Sequence, residues 1–266
     1  MALKSPVVNV MEAAARKASR GLIRDFGEIE HLQVSRKGPS DFVSAADLRV
    51  EKILREELSK ARPGWSLVSE EKGGAVPRDR DDAWIVDPID GTTNFLHGIP
   101  HFAVTIAHWH KGEIVAGIVY QPIGDELYWA ERGMGTYLNR RRLRVSARQK
   151  LADALVATGI PFKGKPKHPR YMETLAAVTP EVAGIRRFGA AALDLAWVAA
   201  GRFDGFWEYG LFPWDMAAGI LLIREAGGAV SDMDGGDEML ARGEILAATP
   251  GLQKPLARLI AAAAKA

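Results

Sequence analysis

One segment, residues 84–94 with the sequence WIVDPIDGTTN, constrains the fold of this chain more than any other. It begins as a short apolar strand, and Asp87 stands where the apolar run stops. Pro88 cannot donate a hydrogen bond to a strand ladder, and Asp90 comes just before a glycine. We therefore predict that the strand ends at Asp87 and opens into a tight turn.

The residues around this turn favour a site for a cation and an anion. Gly91 permits a positive φ, and the hydroxyls of Thr92 and Thr93 can cap a following helix whose free N–H groups suit an anion. Asp87 and Asp90 repel each other unless protons or cations lie between them, and hard ions such as Mg²⁺ prefer oxygen ligands. We predict a Mg²⁺ and phosphate site, although the segment alone fits an ordinary turn equally well.

The composition limits the classes of function. The chain has 266 residues and is 47% hydrophobic, enough for one large domain or two tightly joined halves. Its 35 Lys and Arg residues nearly balance 33 Asp and Glu residues, so no global field favours nucleic acid or an anionic membrane. Because cysteine is absent, metal ligands must be oxygen or histidine. We find no secretory leader and no run of about 18 apolar residues, and expect a soluble cytoplasmic protein.

Two amphipathic helices are predicted near the start of the chain. The segment from Ser5 resembles an N-cap and first turn, and apolar residues at helical spacing extend the helix to about Phe26. Residues 36–40 are polar and interrupted by Gly and Pro, which is typical of a loop. Residues 44–47 have capping-box spacing and open the second helix. From spacing alone, the favoured interpretation of Asp47 is a helix cap.

A sheet is predicted next. Residues 66–69 form a short strand that delivers Glu70 and Glu71, of which only one can point to a given side. His108 and His110 lack the spacing of a His-Glu-x-x-His zinc site, and we interpret them as residues of a strand surface. Further strands of a mainly antiparallel meander are predicted at residues 104–109, 113–120 and 126–130.

From residue 151 onward, short strands alternate with helices. Asp215 would lie at the N-terminus of the last such helix, either as an ordinary cap or as a ligand held by the helix dipole. With the first half of the chain, this order predicts layers in the sequence α, β, α, β, α. The strands are predicted at residues 154–158, 185–188 and 203–209, and the helices at residues 171–178, 193–201 and 213–227.

Four motifs resemble those of the inositol monophosphatase family and occur in the same order. They are DFVSAAD at residues 41–47, SEE at 69–71, DPIDGTTN at 87–94 and WDMAAG at 214–219, the last leading to EAGG at 225–228. The resemblance implies an α/β (α+β) fold with the α-β-α-β-α layers. Residues 1–150 would carry two helices, a mainly antiparallel sheet and the metal motif. Residues 151–266 would form an α/β half with substrate-binding elements, and the metal site would lie between these tightly joined halves.

The resemblance also implies the metal ligands. One Mg²⁺ would be held by Glu70, Asp87 and the backbone carbonyl of Ile89. A second would be held by Asp87, Asp90 and Asp215, so that Asp87 bridges the two ions. A weaker third ion would use Glu70 together with water. Of the two adjacent glutamates, Glu70 is therefore the predicted ligand.

The catalytic residues implied by the resemblance are Thr92, Asp47 and Glu70. The ions would activate a water molecule, Thr92 would orient it, and Asp47 would support the threonine through a hydrogen-bond chain. No histidine base is then needed. The backbone N–H groups of Gly91, Thr92 and Thr93 would hold the phosphoryl oxygens.

The alcohol part of the substrate would meet backbone N–H groups and carboxylates. The implied contacts are Gly189, Ala190, Ala191, Glu208, Asp90 and Asp215. Glu208 would accept hydrogen bonds from sugar or cyclitol hydroxyls. Ala190 stands where many family members have Ser or Thr, so one hydroxyl contact is missing and the preferred alcohol is left open.

The resemblance implies a Mg²⁺-dependent, lithium-sensitive phosphatase that forms a homodimer and hydrolyses inositol 1-phosphate or a related polyol phosphate. The alternative substrates are histidinol phosphate, fructose bisphosphate and 3′-phosphoadenosine phosphate. A second class of function is a regulator that binds RNA or the transcription machinery, which some bacterial members resemble. Its basic clusters would be residues 140–144 and 163–170. We interpret these as a solvated turn and loop, and do not expect nucleic acid as a partner.

Overall fold

The structure is a computed structural model that describes residues 3–26, 34–36, 42–73, 76, 81–161 and 168–263. Most of the loop predicted at residues 36–40 lies outside the described residues, and so does Asp41. Of the basic loop predicted at residues 163–170, only the last three residues are described.

The order of helices and strands differs between the two parts of the chain. Strands mostly follow one another directly before residue 150, and strands and helices are interspersed after it. The helices are α1 (Pro6–Phe26), α2 (Ala45–Ala61), α3 (Thr92–Leu96), α4 (His168–Val178), α5 (Ala191–Ala199), α6 (Pro213–Glu225), α7 (Met239–Arg242) and α8 (Pro250–Ala263). The strands are β1 (Val34–Arg36), β2 (Phe42–Ser44), β3 (Ser66–Ser69), β4 (Asp82–Asp90), β5 (Ala103–His110), β6 (Glu113–Gln121), β7 (Glu126–Glu131), β8 (Gly135–Leu138), β9 (Arg141–Arg142), β10 (Leu155–Thr158), β11 (Gly184–Arg186), β12 (Gly205–Tyr209), β13 (Ala229–Ser231) and β14 (Glu244–Ala248).

The first layer consists of α1 and α2, as predicted. The N–H group of Val8 donates to the Ser5 hydroxyl over 3.3 Å, so Ser5 caps α1. The buried face of α1 includes Met11, Ala18 and Leu22, which recur at helical spacing. This face and the buried face of α2 pack on the same sheet.

That sheet has seven strands in the order β3-β4-β5-β6-β7-β8-β9. Only β3 and β4 pair in parallel within it, and the remaining pairs are the predicted antiparallel meander. Strand β4 is buried from Ala83 to Asp90, because Trp84 faces α1 and α2 while Ile85 faces the helices on the other side. A strand covered on both faces explains the unbroken apolar run in the sequence.

Strand β4 does not end at Asp87, so that prediction was wrong. It continues through Pro88 to Asp90, and the register shifts between the two aspartates. Asp87 pairs with Thr105 and Asp90 with Ala103, so an extra residue of β4 bulges out of the ladder. The bulge accommodates Pro88, which has no N–H group for a regular ladder.

The second sheet has five strands in the order β11-β10-β12-β14-β13. Helices α5 and α6 lie between the two sheets, and α4 and α8 cover the outer face of the second. The predicted order of α, β, α, β and α layers is therefore confirmed. Helix α4 begins at His168, three residues before the predicted start, and Pro169 is accommodated in its first turn.

The middle helices are apolar on nearly all sides because each is buried between two sheets. The core cluster around them contains Ile85 and Ala107 of the first sheet and Phe206 and Ile245 of the second. The division into residues 1–150 and 151–266 stays a prediction, since this shared core joins both parts. Close contact of α5 and α6 requires Gly219, where a Cβ atom would lie 2.6 Å from the Leu195 side chain.

Replacing Gly219 by Ala is expected to destabilise the protein by about 1–3 kcal/mol, the usual cost of overpacking a core. The change improves intrinsic helix propensity, so a loss of stability must come from the contact with Leu195. Gly21 in α1 is the matched control, because a Cβ atom there would meet nothing within 4 Å. Its replacement by Ala should stabilise by about 0.5–1 kcal/mol. Urea unfolding of both variants measures the contrast, and equal stabilisation by both would contradict this packing.

Candidate active site

Three carboxylates converge at the end of the first sheet. Asp87 and Asp90 lie on either side of the β4 bulge, and Asp215 lies in the first turn of α6. Oxygen atoms of all three lie within 4.8 Å of one another. Glu70 follows β3, the parallel neighbour of β4, and lines the same cavity.

This cavity has a volume of about 310 Å³ and lies between the two sheets. Its walls come from the acidic segment, from the loop after β10, from the loop before α5 and from residues 208–212. The lining residues include Glu70, Asp87, Ile89, Asp90, Gly91, Thr92, Thr93, Gly189, Ala191, Glu208 and Asp215, all of which the sequence motifs predicted.

The charges in the cavity are unfavourable without a counter-ion. Burial, followed by the carboxylates of Glu70 and Asp90, raises the pKa of Asp87 well above its usual value. Burial and the Asp215 carboxylate raise the pKa of Asp90 in the same way. Arg187 is the one basic residue among the described residues of the cavity wall. An all-oxygen set of buried carboxylates that resist ionisation fits hard divalent cations such as Mg²⁺.

Backbone N–H groups orient each of the three carboxylates. The N–H of Ile89 donates to Asp87 Oδ1 over 2.9 Å, and the N–H of Phe212 donates to Asp215 Oδ2 over 2.8 Å. The latter bond satisfies the backbone N–H of Phe212, the N-cap residue of α6, so Asp215 is indeed a cap, as one of our two interpretations held. That role uses one oxygen atom of the carboxylate and is compatible with metal binding by the other.

Asp90 is tied to the opposite half of the chain. The N–H of Ala192, at the start of α5, donates to Asp90 Oδ2 over 2.8 Å. The N–H of Ala191, which we expected to serve the substrate, also hydrogen-bonds to this carboxylate. Ala190 is buried and is absent from the described cavity wall, where the sequence had predicted a substrate contact.

The turn after Asp90 has the predicted backbone but different caps. Gly91 has a φ of 89° and is itself the N-cap of α3, with no side-chain cap. A Cβ atom on Gly91 would lie 3.0 Å from the Ala190 methyl and from the His101 carbonyl oxygen. The Thr92 hydroxyl donates to the Ile89 carbonyl oxygen over 2.9 Å and does not cap the helix. Thr93 is exposed at the cavity wall.

Asp47 lies in the first turn of α2 and is buried, with 2% of its surface exposed. It is not part of the described cavity wall. Its charge nevertheless contributes to the raised pKa of Asp87, so it lies close behind the acidic cluster. The predicted hydrogen-bond chain from Thr92 to Asp47 stays a prediction.

The far wall of the cavity is built around Glu208 on β12. Burial, then the carboxylates of Asp194 and Asp215, raises the pKa of Glu208 well above its usual value. The Glu208 carboxylate packs directly over Gly159, where a Cβ atom would lie 1.9 Å from the side-chain Cδ atom. Only glycine leaves room for this side chain.

Sequence reasoning missed eight residues of this wall, which are Gly159, Ile160, Pro161, Arg187, Tyr209, Gly210, Leu211 and Phe212. Among them, the exposed Phe212 stacks its ring on Trp214. Arg187 could have been noticed as a cation two residues before Gly189. Gly159 carries no sequence pattern, because its role depends on a side chain 49 residues later.

The loops on the two sides of the cavity are connected by Asn94 of α3. The buried Asn94 amide nitrogen donates to the carbonyl oxygens of His101 and Phe188, each over 2.7 Å. Phe188 directly precedes Gly189 at the cavity wall. One side chain of the acidic motif therefore fixes the loop that leads into α5.

The basic cluster at residues 140–144 contributes no residue to the described wall of this cavity. Arg140, Arg141, Arg142 and Arg144 are exposed around the edge strand β9, as expected for a solvated turn. Among the residues that the structure describes, no helix is both long and apolar enough to cross a membrane.

The five layers and the carboxylate cluster between the two sheets are those of the metal-dependent phosphatases built on this architecture. The chain belongs to the inositol monophosphatase family, whose sequence profile matches residues 3–266. The family resemblance predicted from the motifs is thereby confirmed.

Individual relatives resemble the chain over almost its full length. An inositol-1-monophosphatase of Mesorhizobium japonicum is 56% identical over 257 residues, 97% of each chain. The Nus factor SuhB of Salmonella typhimurium is 43% identical over 251 residues, 94% of each chain. The crystal structure of the extragenic suppressor protein suhB from Bartonella henselae has a TM-score of 0.92 at 55% identity, and covers 96% of this chain and 98% of that one.

Replacing Asp87 by Asn is expected to stabilise the metal-free protein at neutral pH. The expected gain is about 1–4 kcal/mol, the repulsion of two unit charges about 4 Å apart at effective dielectric constants from about 80 to 20. Because the folded-state pKa of Asp87 is raised, the wild type loses stability as pH rises through that pKa. The difference in the free energy of unfolding between wild type and Asp87→Asn should therefore vanish below about pH 3.9, the pKa of Asp in the unfolded chain. Urea unfolding in EDTA at several pH values measures it.

In Mg²⁺ the wild type should become more stable than Asp87→Asn, because the ion stabilises the wild type by binding and the substitution removes a ligand. The exposed Asp153 provides the control, and Asp153→Asn should behave like wild type in both conditions. An Asp87→Asn variant that is less stable than wild type in EDTA, or that gains as much from Mg²⁺, would contradict the electrostatic account.

Proposed function

We propose that this chain hydrolyses inositol 1-phosphate or a closely related polyol phosphate. The observation that supports the proposal is a single cavity whose two ends carry different side chains. One end holds the carboxylates of Asp87, Asp90 and Asp215, and the other holds Glu208 beside the bare backbone of Gly159. Such a cavity suits a phosphate next to an alcohol rich in hydroxyl groups.

The phosphate end requires cations. Five carboxylates line the cavity against the single Arg187 of the described wall, so a phosphate dianion would be repelled from an ion-free site. Glu70, Asp87, Asp90 and Asp215, with the Ile89 carbonyl, are the oxygen atoms available to hold Mg²⁺ in two or three copies. When bound, the ions would activate water as a nucleophile and stabilise charge on the leaving alkoxide.

The protein groups around the phosphate position the reactants. Thr92 lies beside Asp87 with its hydroxyl held by the Ile89 carbonyl, and Glu70 faces the same space. We assign to Thr92 and Glu70 the orientation of the attacking water, with Asp47 in support. The N–H groups of Gly91, Thr92 and Thr93 are available for phosphoryl oxygens at the turn into α3.

The alcohol end selects the substrate. Glu208 accepts hydrogen bonds from hydroxyl groups, and Asp90 and Asp215 can do so with oxygen atoms that are not used by metal. Gly189 and Ala191, which line the cavity, would approach the alcohol through their backbone, although the Ala191 N–H is also directed to Asp90. A second phosphate near Glu208 would be repelled, which disfavours fructose bisphosphate.

Several properties follow from family membership as further proposals. These are the identity of the ion as Mg²⁺, lithium sensitivity, assembly as a homodimer and a cytoplasmic location. The relative from Mesorhizobium japonicum that is named inositol-1-monophosphatase supports the choice of inositol phosphate among the substrates.

A second function, binding to RNA or to the transcription machinery, is favoured by the relative named Nus factor SuhB. The exposed arginines at residues 140–144 are the described surface that could serve it. The formal net charge of the whole chain is only +2, so no extended basic field supports that role. We therefore place it second.

The proposed activity is tested by phosphate release from a panel of phosphomonoesters. With Mg²⁺, the wild type should have its highest kcat/KM on inositol 1-phosphate and a lower value on fructose 1,6-bisphosphate. Asp87→Asn should fold normally and release no phosphate above background, because it removes charge where the cations bind. Retained Mg²⁺-dependent hydrolysis by folded Asp87→Asn would overturn the assignment of the site. A preference for the bisphosphate or for a nucleotide phosphate would overturn the substrate.

Glu208→Gln and Gly159→Ala should both reduce the preference for inositol 1-phosphate over a plain aryl phosphate by about 10-fold. The first weakens a charge-assisted hydrogen bond, and the second displaces the Glu208 carboxylate. The ratio of kcat/KM on the two substrates is the measurement, because it cancels general loss of folded enzyme.

Gly64→Ala is the matched control for the glycine, since a Cβ atom there would meet nothing within 4 Å. It should leave the ratio unchanged. If Glu208→Gln also leaves every ratio unchanged, Glu208 does not contact the alcohol and the polyol assignment fails while the phosphatase chemistry stands.

A further inference from the structure

A second cluster of metal-ligating side chains lies at the opposite end of β4 from the acidic site. It consists of Asp82 at the start of β4 and of His108 and His110 at the end of β5. Asp82 pairs directly with His110 across the two antiparallel strands. His108 is two residues earlier on β5 and therefore projects from the same face.

The three side chains are already in contact. His108 Nε2 lies 2.6 Å and His110 Nδ1 lies 2.9 Å from the same atom, Asp82 Oδ1. One ligand atom from each residue lies within 4.8 Å of the other two. Two imidazole nitrogens and a carboxylate oxygen thus surround a common point at metal-binding spacing.

The surroundings hold two members of the cluster in place and leave one side open. The His108 ring stacks on Trp65, with centroids 4.1 Å apart and 18° between the planes, and it leans on Trp84 at 5.6 Å. The His108 side chain is 10% exposed and that of Asp82 is 22% exposed. The His110 side chain is 42% exposed, which leaves room for an ion to enter with bound water.

This cluster is separate from the phosphatase site. Asp87 lies five positions after Asp82 along β4, a distance of about 16 Å at about 3.3 Å per residue. The donor chemistry differs too, because imidazole suits Zn²⁺, Cu²⁺, Ni²⁺ and Co²⁺, whereas the oxygen-only site suits Mg²⁺.

We propose that Asp82, His108 and His110 form a site for one divalent transition-metal ion, with Zn²⁺ as the reference ligand and water completing its coordination. When the ion is bound, each imidazole presents a lone pair at the nitrogen that faces Asp82, and its proton is on the other ring nitrogen. The ion replaces two hydrogen bonds that join β4 and β5. Binding therefore cross-links the start of the strand whose other end carries Asp87 and Asp90.

Electron paramagnetic resonance of Cu²⁺ distinguishes the two sites. Tag-free protein in excess Mg²⁺ receives one equivalent of Cu²⁺, and imidazole ligands should produce nitrogen superhyperfine splitting that carboxylates cannot produce. A Zn²⁺ titration by calorimetry in the same buffer should give one site. His110→Ala should reduce the splitting, and both His110→Ala and Asp82→Asn should weaken Zn²⁺ binding at this site by at least about 10-fold.

His97→Ala is the matched control, because His97 is exposed at the end of α3 and lies outside the cluster. It should retain both the splitting and the Zn²⁺ affinity. Circular dichroism and urea unfolding verify that each variant is folded. Absence of nitrogen splitting in the wild type, or equal Zn²⁺ affinity in wild type and folded His110→Ala, would overturn the proposal.

Discussion

The structure depends on holding the carboxylates of Asp87, Asp90 and Asp215 together against their mutual repulsion. Each receives an N–H group from a different place: from its own strand, from the start of α5, or from the residue before α6. Of these bonds, the one from Ala192 at the start of α5 to Asp90 at the end of β4 joins the parts of the chain before and after residue 150. The backbone thus supplies part of the compensation that bound cations would complete.

The middle layer makes that convergence possible. Helices α5 and α6 are apolar on nearly all sides and approach closely at Gly219, so they fill the space between the two sheets mainly with apolar side chains. Their charged residues lie near the helix ends: Asp194 and Asp215 in the first turns, and Arg224 and Glu225 in the last turn of α6. Because helix N-termini offer N–H groups, the layer that is most hydrophobic in its interior is polar where it meets the cavity.

Local patterns in the sequence predicted much of this arrangement. The helices from Pro6 and Ala45 follow from capping residues and apolar spacing, and the acidic motifs and the family resemblance identified part of the cavity lining. The continuation of β4 past Asp87 was missed because a proline normally ends a strand, and only the bulge against β5 accommodates it. Gly159 under Glu208, and Asp82 between His108 and His110, are contacts between distant segments. No local pattern encodes such pairs, because strand register decides which residues meet.

The two carbonyl hydrogen bonds of Asn94 have a mechanical consequence. One bond holds the segment that follows α3, and the other holds the segment that leads into α5. The two N–H bonds of a planar amide point in fixed directions. A shift of either segment is therefore transmitted to the other through the Asn94 side chain. The buried Asn94 side chain thereby fixes the spacing between the acidic turn and the loop at Phe188 on the opposite side of the cavity, whether or not a molecule is bound there.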